Sequence, residues 1–368
     1  MSCPGCPDVE LGEWSEELLR QLGGARYPFH GTFELTERCN LSCVHCYINQ
    51  PAGSERARAG ELSAAQIAAI IDQAADAGCL YLLLTGGEAL LRPDLPEIYV
   101  HAKKRGLLVT LFTNGTLLTA EIADLLAEWP PWGIEISLYG RTQRTYEQVT
   151  RVPGSHARCM RGIDLAMDRG LRLSLKASLL SLNRHELPAM QALARELGLT
   201  FRYDPLLWPR LDGGRQPFDY GLSAEEIAAL DREDPERMQE WIDTYRHSDG
   251  SRVRTEYIYS CGAGFHGFHV DCSGRLSLCM MSRSPAYDLL RGSFGTGWGT
   301  FLASLLEQKR VLDTPCPSCT AGALCTQCPG WSQAVHGDSE TPVELVCELG
   351  RLHAEGVRRA LSGSAPGA

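Results

Sequence analysis

From Gly31 onward the apolar positions alternate between strand-sized runs and helical stripes. Thr32 to Leu35 has the length of a short strand. Ser63 and Gln66 form a capping-box pair opening a helix whose buried stripe should include Ile67, Ile70, Ile71 and Ala74, and Gly78 stops it. Cys79 to Leu84 is a continuous apolar run, the pattern of a strand buried on both faces. The alternation repeats as a helix near Leu95 to Lys104, a strand at Leu107 to Phe112 and a helix after Thr119. A strand at Ile134 to Leu138 and helices through Met167 follow. A strand at Leu171 to Ala177, a helix near Glu186 to Leu197 and a strand at Thr200 to Tyr203 complete it. Six strands alternating with helices predict an α/β fold, a parallel sheet with helices outside, curved into a partial (β/α)6 barrel. Chemistry in such folds sits at the C-terminal strand ends, where the βα loops emerge.

The pattern loosens after the sixth strand. Asp204 to Tyr220 is too long for a simple connector, so it either lines a cavity or bridges domains. Ser223 to Trp241 reads as an acidic helical stretch and His247 to Arg252 as polar linker. The expected division is an extension at 1–30, a core at 31–235, a linker at 236–256, a small cysteine-rich domain at 257–350 and a tail at 351–368. The extension holds an amphipathic stretch, Trp14 to Leu22, and the pair Cys3 and Cys6, which Pro4, Gly5 and Pro7 mark as chain end without a role.

Composition narrows the partners. The 368 residues are 44% hydrophobic, ample for a large core, and the net charge of −10 with scattered basic residues argues against nucleic acid. No apolar run approaches the roughly 20 residues of a membrane span, and no signal peptide is discernible, so a cytoplasmic protein with no membrane partner is expected. Fifteen cysteines, odd in number and clustered, fit metal ligation better than disulfides. Thiolate ligation demands a reducing, oxygen-protected compartment.

Cys39, Cys43 and Cys46 are spaced CxxxCxxC, so three thiolates from one short loop can converge on a cubane iron-sulfur cluster and leave its fourth iron open. Three structural thiols or half a zinc site are the plainer alternatives. Thr85-Gly86-Gly87-Glu88 follows the second strand, Thr113-Asn114-Gly115-Thr116 the third, and Ser137-Leu138-Tyr139-Gly140 the fourth. Each can be a turn alone; the two glycines also let backbone approach a ligand, and a carbonyl or the Glu88 carboxylate can accept from an ammonium group. Farther on, Cys316-x2-Cys319-x5-Cys325-x2-Cys328 would by itself suit a four-thiolate zinc site.

Taken together, these motifs resemble the radical S-adenosylmethionine (SAM) enzymes. The resemblance implies that the Cys39, Cys43, Cys46 cluster binds SAM, with Tyr47 as the aromatic after the third cysteine. It implies that Gly86, Gly87 and Glu88 receive the methionine amino group. Asn114 belongs to the similar "TNG" element. Ser137 would meet the SAM ribose or carboxylate, and Arg151 the carboxylate. Cys261, Gly274, Cys279, the quartet and Cys347 follow the order of the SPASM extension, although CxxC at Cys325 and Cys328 replaces the usual CxxxC. By that resemblance two auxiliary [4Fe-4S] clusters form, one on Cys316, Cys319, Cys325 and Cys347, the other on Cys261, Cys279 and Cys328. The eighth ligand has no clear source: Thr255 stands where some relatives have cysteine, leaving Cys272, His266, His269 or an open site. Cys79 and Cys159 read as packed apolar residues.

The activity so implied is reductive SAM cleavage to a 5′-deoxyadenosyl radical that takes a hydrogen atom from a substrate carbon. Three [4Fe-4S] clusters and SAM would serve as cofactors, with a flavodoxin- or ferredoxin-type electron donor. Relatives of this type mostly crosslink or oxidise peptides or proteins; a small molecule or tetrapyrrole precursor is the second reading. An iron-sulfur electron carrier or zinc-ribbon interaction protein is the competing class. Met280 occupies the position of the aspartate base in sulfatase-maturing relatives, which argues against that activity. A peptide substrate would require a separate leader-binding protein, since thirty residues before the core are too few for one.

Overall fold

The computed structural model describes residues 25–48, 50–248 and 256–363. Cys3, Cys6, the Trp14 to Leu22 stretch and Thr255 lie outside the described residues. Six parallel strands appear where the alternation places them, within a residue or two. They are β1 (His30–Glu34), β2 (Tyr81–Thr85), β3 (Leu108–Thr113), β4 (Gly133–Ser137), β5 (Leu173–Ser178) and β6 (Thr200–Asp204). Three strands from the cysteine-rich region, β7 (Gly267–Val270), β8 (Arg275–Ser277) and β9 (Tyr287–Asp288), extend the same sheet, which runs β9-β8-β7-β1-β2-β3-β4-β5-β6 and stays open. β7 pairs parallel with β1, and β8 and β9 fold back antiparallel. Thus the cysteine-rich end is built onto the edge of the barrel-like core.

The Ser63 capping box is present and starts α1 (Ala64–Asp76), with Ile67, Ile70, Ile71 and Ala74 buried as expected. Further helices are α2 (Leu95–Lys104), α3 (Ala120–Glu128), α4 (Gln143–Thr150), α5 (Ser155–Asp168) and α6 (Leu187–Glu196). They pack with Leu82, Leu84, Val109, Leu111, Ile134, Ile136 and Leu175 of the strands. The opposite, concave face differs from expectation. Tyr81 and Leu83 are only half-buried rather than enclosed on both sides. Parallel register places Phe112, Glu135 and Ser174 in one row and Ser137, Lys176 and Arg202 in the next, all on that face. A polar wall there is affordable only if it lines a cavity.

The acidic stretch divides at Pro235 into α7 (Ala224–Glu233) and α8 (Pro235–His247), because proline starts a helix readily but cannot continue one. Most of the expected linker at 236–256 is therefore helix among its described residues. Both helices pack on α9 (Glu344–Gly363), where Asp231 accepts from Arg237 and meets the His353 Nε2 at 2.7 Å.

Candidate active site

The cysteine loop hangs from a short pairing of Arg38–Cys39 with Gln50–Pro51 and is clamped to the C-terminal end of α4. Ser42 N–H donates to the Thr150 carbonyl and Val44 N–H to that of Val149, each at 3.0 Å. Beneath it, Arg38 grips Glu61 through Nε at 2.7 Å and Nη2 at 2.9 Å.

The Gly86-Gly87 segment lies against this base: Gly87 N–H donates to Thr36 O at 2.7 Å and Glu88 N–H to Arg38 O at 2.9 Å. A Cβ on Gly87 would meet Arg38 O at 2.4 Å, and one on Gly86, whose φ is +145°, would meet Thr36 O at 2.4 Å. Both glycines are thus demanded by close backbone approach.

Cys39, Cys43 and Cys46 come together. Burial pushes the Cys39 thiol up to about 12, with Glu88 and Cys46 adding to it, and Cys43 well above its ordinary range, with Cys46 and Cys39 adding to it. A bound cationic centre would favour their thiolates, and three cysteines on one short loop suit an iron-sulfur cluster. Cys39 Sγ already accepts from Leu41 N–H at 3.4 Å and faces Asn114 Nδ2 at 3.7 Å. Such outer contacts orient thiolate ligands. Tyr139 lines the same cavity as all three thiols.

A cavity of about 310 Å³ opens against this loop, bounded by Gly86, Gly87, Asn114, Ser137, Lys176 and Met281 among others, within the usual range for ligand sites. Tyr47, Thr85 and Met280 also line it. Two expected SAM contacts do not. Glu88 is fully buried and turned away: Oε1 accepts from Thr113 Oγ1 at 2.6 Å and Leu90 N–H at 3.0 Å, and Oε2 from Asn114 N–H at 2.7 Å. It ties the second strand end to the third, leaving the Gly86 and Gly87 backbone to face the cavity. Arg151, the left-handed cap of α4 at φ 59°, is exposed and donates to Tyr220 Oη at 2.9 Å, outside the cavity.

The cysteine-rich end separates into two thiol groups. Burial raises Cys279 to about 11, with Cys328 and Cys261 adding to the rise, and burial also raises Cys328, with Cys261 adding there too. Cys347, raised by burial, feels Cys325 and Cys316. Among the described residues, no three His, Cys, Asp or Glu side chains converge as a single ion requires. Cys272 sits apart: burial and the carboxylates of Glu37, Asp271, Glu34 and Glu61 raise it to about 12. That acidic neighbourhood disfavours it as the eighth ligand. His269 is committed too, with Nδ1 3.0 Å from Ser277 Oγ and Nε2 3.5 Å from Glu34. Cys79 and Cys159 are buried in the core, as expected.

Three contributors were missed from the sequence. Arg283 links Glu34 to the Met280 carbonyl, and Lys176 projects from β5 into the cavity. His45, inside the cysteine loop, is half-buried against the same cavity, with its Nδ1 buried and unpartnered. The period-two alternation of Ser174, Lys176 and Ser178 announces the second; Arg283 and Glu34 lie 249 residues apart and give no local signal.

An open parallel sheet with a three-thiol loop and a glycine-lined cavity at its strand ends defines a cofactor-dependent α/β protein. Residues 33–193 match the Radical SAM superfamily model, and the chain belongs to that superfamily. The AdoMet-dependent heme synthase of Methanosarcina barkeri is 36% identical over 57% of this chain and 56% of its own. The antilisterial bacteriocin subtilosin biosynthesis protein AlbA of Bacillus subtilis is 30% identical over 74% and 60%. This chain thus spans little more than half of either relative. SuiB of Streptococcus suis bound to S-adenosylmethionine has the same fold, with a TM-score of 0.66 at 14% identity over 94% of this chain and 83% of that one.

Proposed function

We propose that this protein is a radical SAM enzyme of the SPASM type that removes a hydrogen atom from a carbon of a peptide or protein substrate. When bound, the Cys39, Cys43, Cys46 cluster supplies the electron that splits SAM into methionine and a 5′-deoxyadenosyl radical. The observation that carries this reading is that Cys39, Cys43 and Cys46 line one cavity walled by the Gly86-Gly87 backbone. Asn114 and Ser137, on the cavity lining, would orient the nucleoside, and Tyr139 and Met281 would exclude water and oxygen. Cys261, Cys279 and Cys328 would hold one auxiliary cluster, and Cys316, Cys319, Cys325 and Cys347 the other. The Met280-Met281 segment joins the first of these sets to the cavity wall.

Peptide modification is supported by the names of relatives, among them AlbA and PqqA peptide cyclase, and by a structure of SuiB bound to precursor peptide SuiA. A small-molecule substrate is the second reading, favoured by the heme synthases. An external one-electron donor and a separate leader-binding protein complete the proposal.

The test is anaerobic reconstitution followed by SAM and a reductant. About 12 irons per chain and release of 5′-deoxyadenosine are expected. Zinc with little iron, or a Cys43→Ala variant that still releases 5′-deoxyadenosine, overturns the reading.

A further inference from the structure

Beside the main cavity lies a smaller one of about 210 Å³, bounded by Ser137, Tyr139, Lys176, Ser178, Arg202 and Asp204. Its lining includes nothing from the cysteine loop or from Gly86-Gly87, and it shares Ser137, Tyr139, Lys176, Ser178 and Asp204 with the larger cavity. Lys176 lines both cavities and is the only Lys or Arg on the larger one's described lining.

Lys176 is an unusual choice here. Of 35 cationic side chains in the chain only four are lysine, and Lys103, Lys104 and Lys309 lie in or beside surface segments far along the chain from this wall. The Lys176 side chain is about 21% exposed, and its ammonium stands 2.9 Å from the centre of the Phe112 ring. Its nearest carboxylate, Glu135, is 3.8 Å away and is already held by Arg202 Nε at 3.0 Å. The Asp204 carboxylate accepts from Leu206 N–H at 2.9 Å. Glu88, more distant, is fully engaged. The ammonium therefore has a ring beneath it, one counterion that it shares with Arg202, and an open polar cavity on either side.

We propose that Lys176, with Ser178 and Arg202, forms a substrate subsite that anchors a carboxylate of the molecule being modified. The inference deepens the functional reading and rests on it for the word substrate. An ammonium fixed over an aromatic face, whose one counterion is shared with an arginine, gains most from a second carboxylate, which brings the opposite charge and two acceptors. Seating the acid there places the rest of the substrate across the larger cavity, toward the nucleoside.

The scarcity of lysine makes the test direct. Reconstituted enzyme saturated with SAM is trace-labelled with an amine-acylating reagent near pH 7, and the Lys176 peptide is compared by mass spectrometry with that of Lys309. The probes are glutarate against glutaramide, for a small acid, and acetyl-Gly-Glu-Gly-amide against its glutamine counterpart, for an acidic peptide. The acid of at least one pair should slow Lys176 labelling about tenfold while its neutral partner changes it less than about twofold. Which pair responds identifies the source of the carboxylate. Equal protection by acid and neutral probes overturns the subsite. So does protection by SAM alone that 5′-methylthioadenosine cannot reproduce, which would give Lys176 to the carboxylate of SAM itself. Acid-specific protection in an enzyme that releases no 5′-deoxyadenosine would uphold the subsite and sink the radical reading, so the two fail separately.

Discussion

The Arg283 guanidinium closes on the Glu34 carboxylate across the seam between β1 and the cysteine-rich end. Nη1 lies 2.8 Å from Oε2 and Nη2 bonds Oε1. Tyr47 Oη donates to the same carboxylate at 2.9 Å, and Arg283 Nε to the Met280 carbonyl at 2.8 Å. One ion pair thus sets the residue after Cys46 against the residue after Cys279. Burial alone would raise Glu34, but His269 and Arg283 hold it down to about 2.

Arg283→Met would take the guanidinium from a fully buried carboxylate, leaving it only Tyr47 and His269, and should cost up to about 3 to 5 kcal/mol, whereas Glu34→Gln with Arg283→Met should recover much of that loss. Denaturant unfolding of the two single variants and the double variant measures the cycle. The depressed Glu34 contributes stability that is whole above its ordinary value of 4.5 and disappears as pH falls through about 2. A single variant no less stable than wild type would remove the pair from this role.

Glu88→Ala should strip acceptors from Asn114 N–H and Thr113 Oγ1 and loosen the wall facing SAM. A stability loss of about 1 to 3 kcal/mol and a rise of about 10- to 100-fold in the SAM dissociation constant are expected, by analogy with outer-shell residues at metal sites. Equilibrium dialysis of the reconstituted protein reads the second quantity. Unchanged SAM affinity together with lowered stability would confine Glu88 to holding the fold.

Iron content separates the cysteines. Cys279→Ala should lose about four irons, the content of one cubane. Cys272→Ala should lose none, because its neighbours are Glu37, Asp271, Glu34 and Glu61 rather than thiols. Iron lost from the Cys272 variant would restore that residue as the eighth ligand.

Local pattern carried the six parallel strands, the Ser63 cap and the cysteine loop, since each depends on residues within a few positions of one another. It misjudged β2, because Leu83 reads as core whether it faces helices or a cavity. Glu88 and Arg151 were visible as residues but not in direction: one turns inward to bind backbone, the other outward to Tyr220. The joining of β7 to β1 and of Arg283 to Glu34 depends on contacts more than 200 residues apart in sequence, to which no local periodicity is sensitive.

Lys176 should make the fold less stable than it would otherwise be. Burial lowers its pKa from 10.5 to about 7, with Glu135 only partly offsetting the loss of solvent. Between pH 7 and 10.5 the unfolded chain therefore binds more protons at this side chain than the folded one, and stability should rise with pH across that window. Lys176→Met removes the penalty while keeping the chain length. It should be the more stable protein at pH 7, with its advantage shrinking toward pH 10. Thermal unfolding of both proteins at matched pH values tests the sign. A methionine variant less stable at pH 7 would show that the ammonium is held by its neighbours rather than kept in readiness for a ligand.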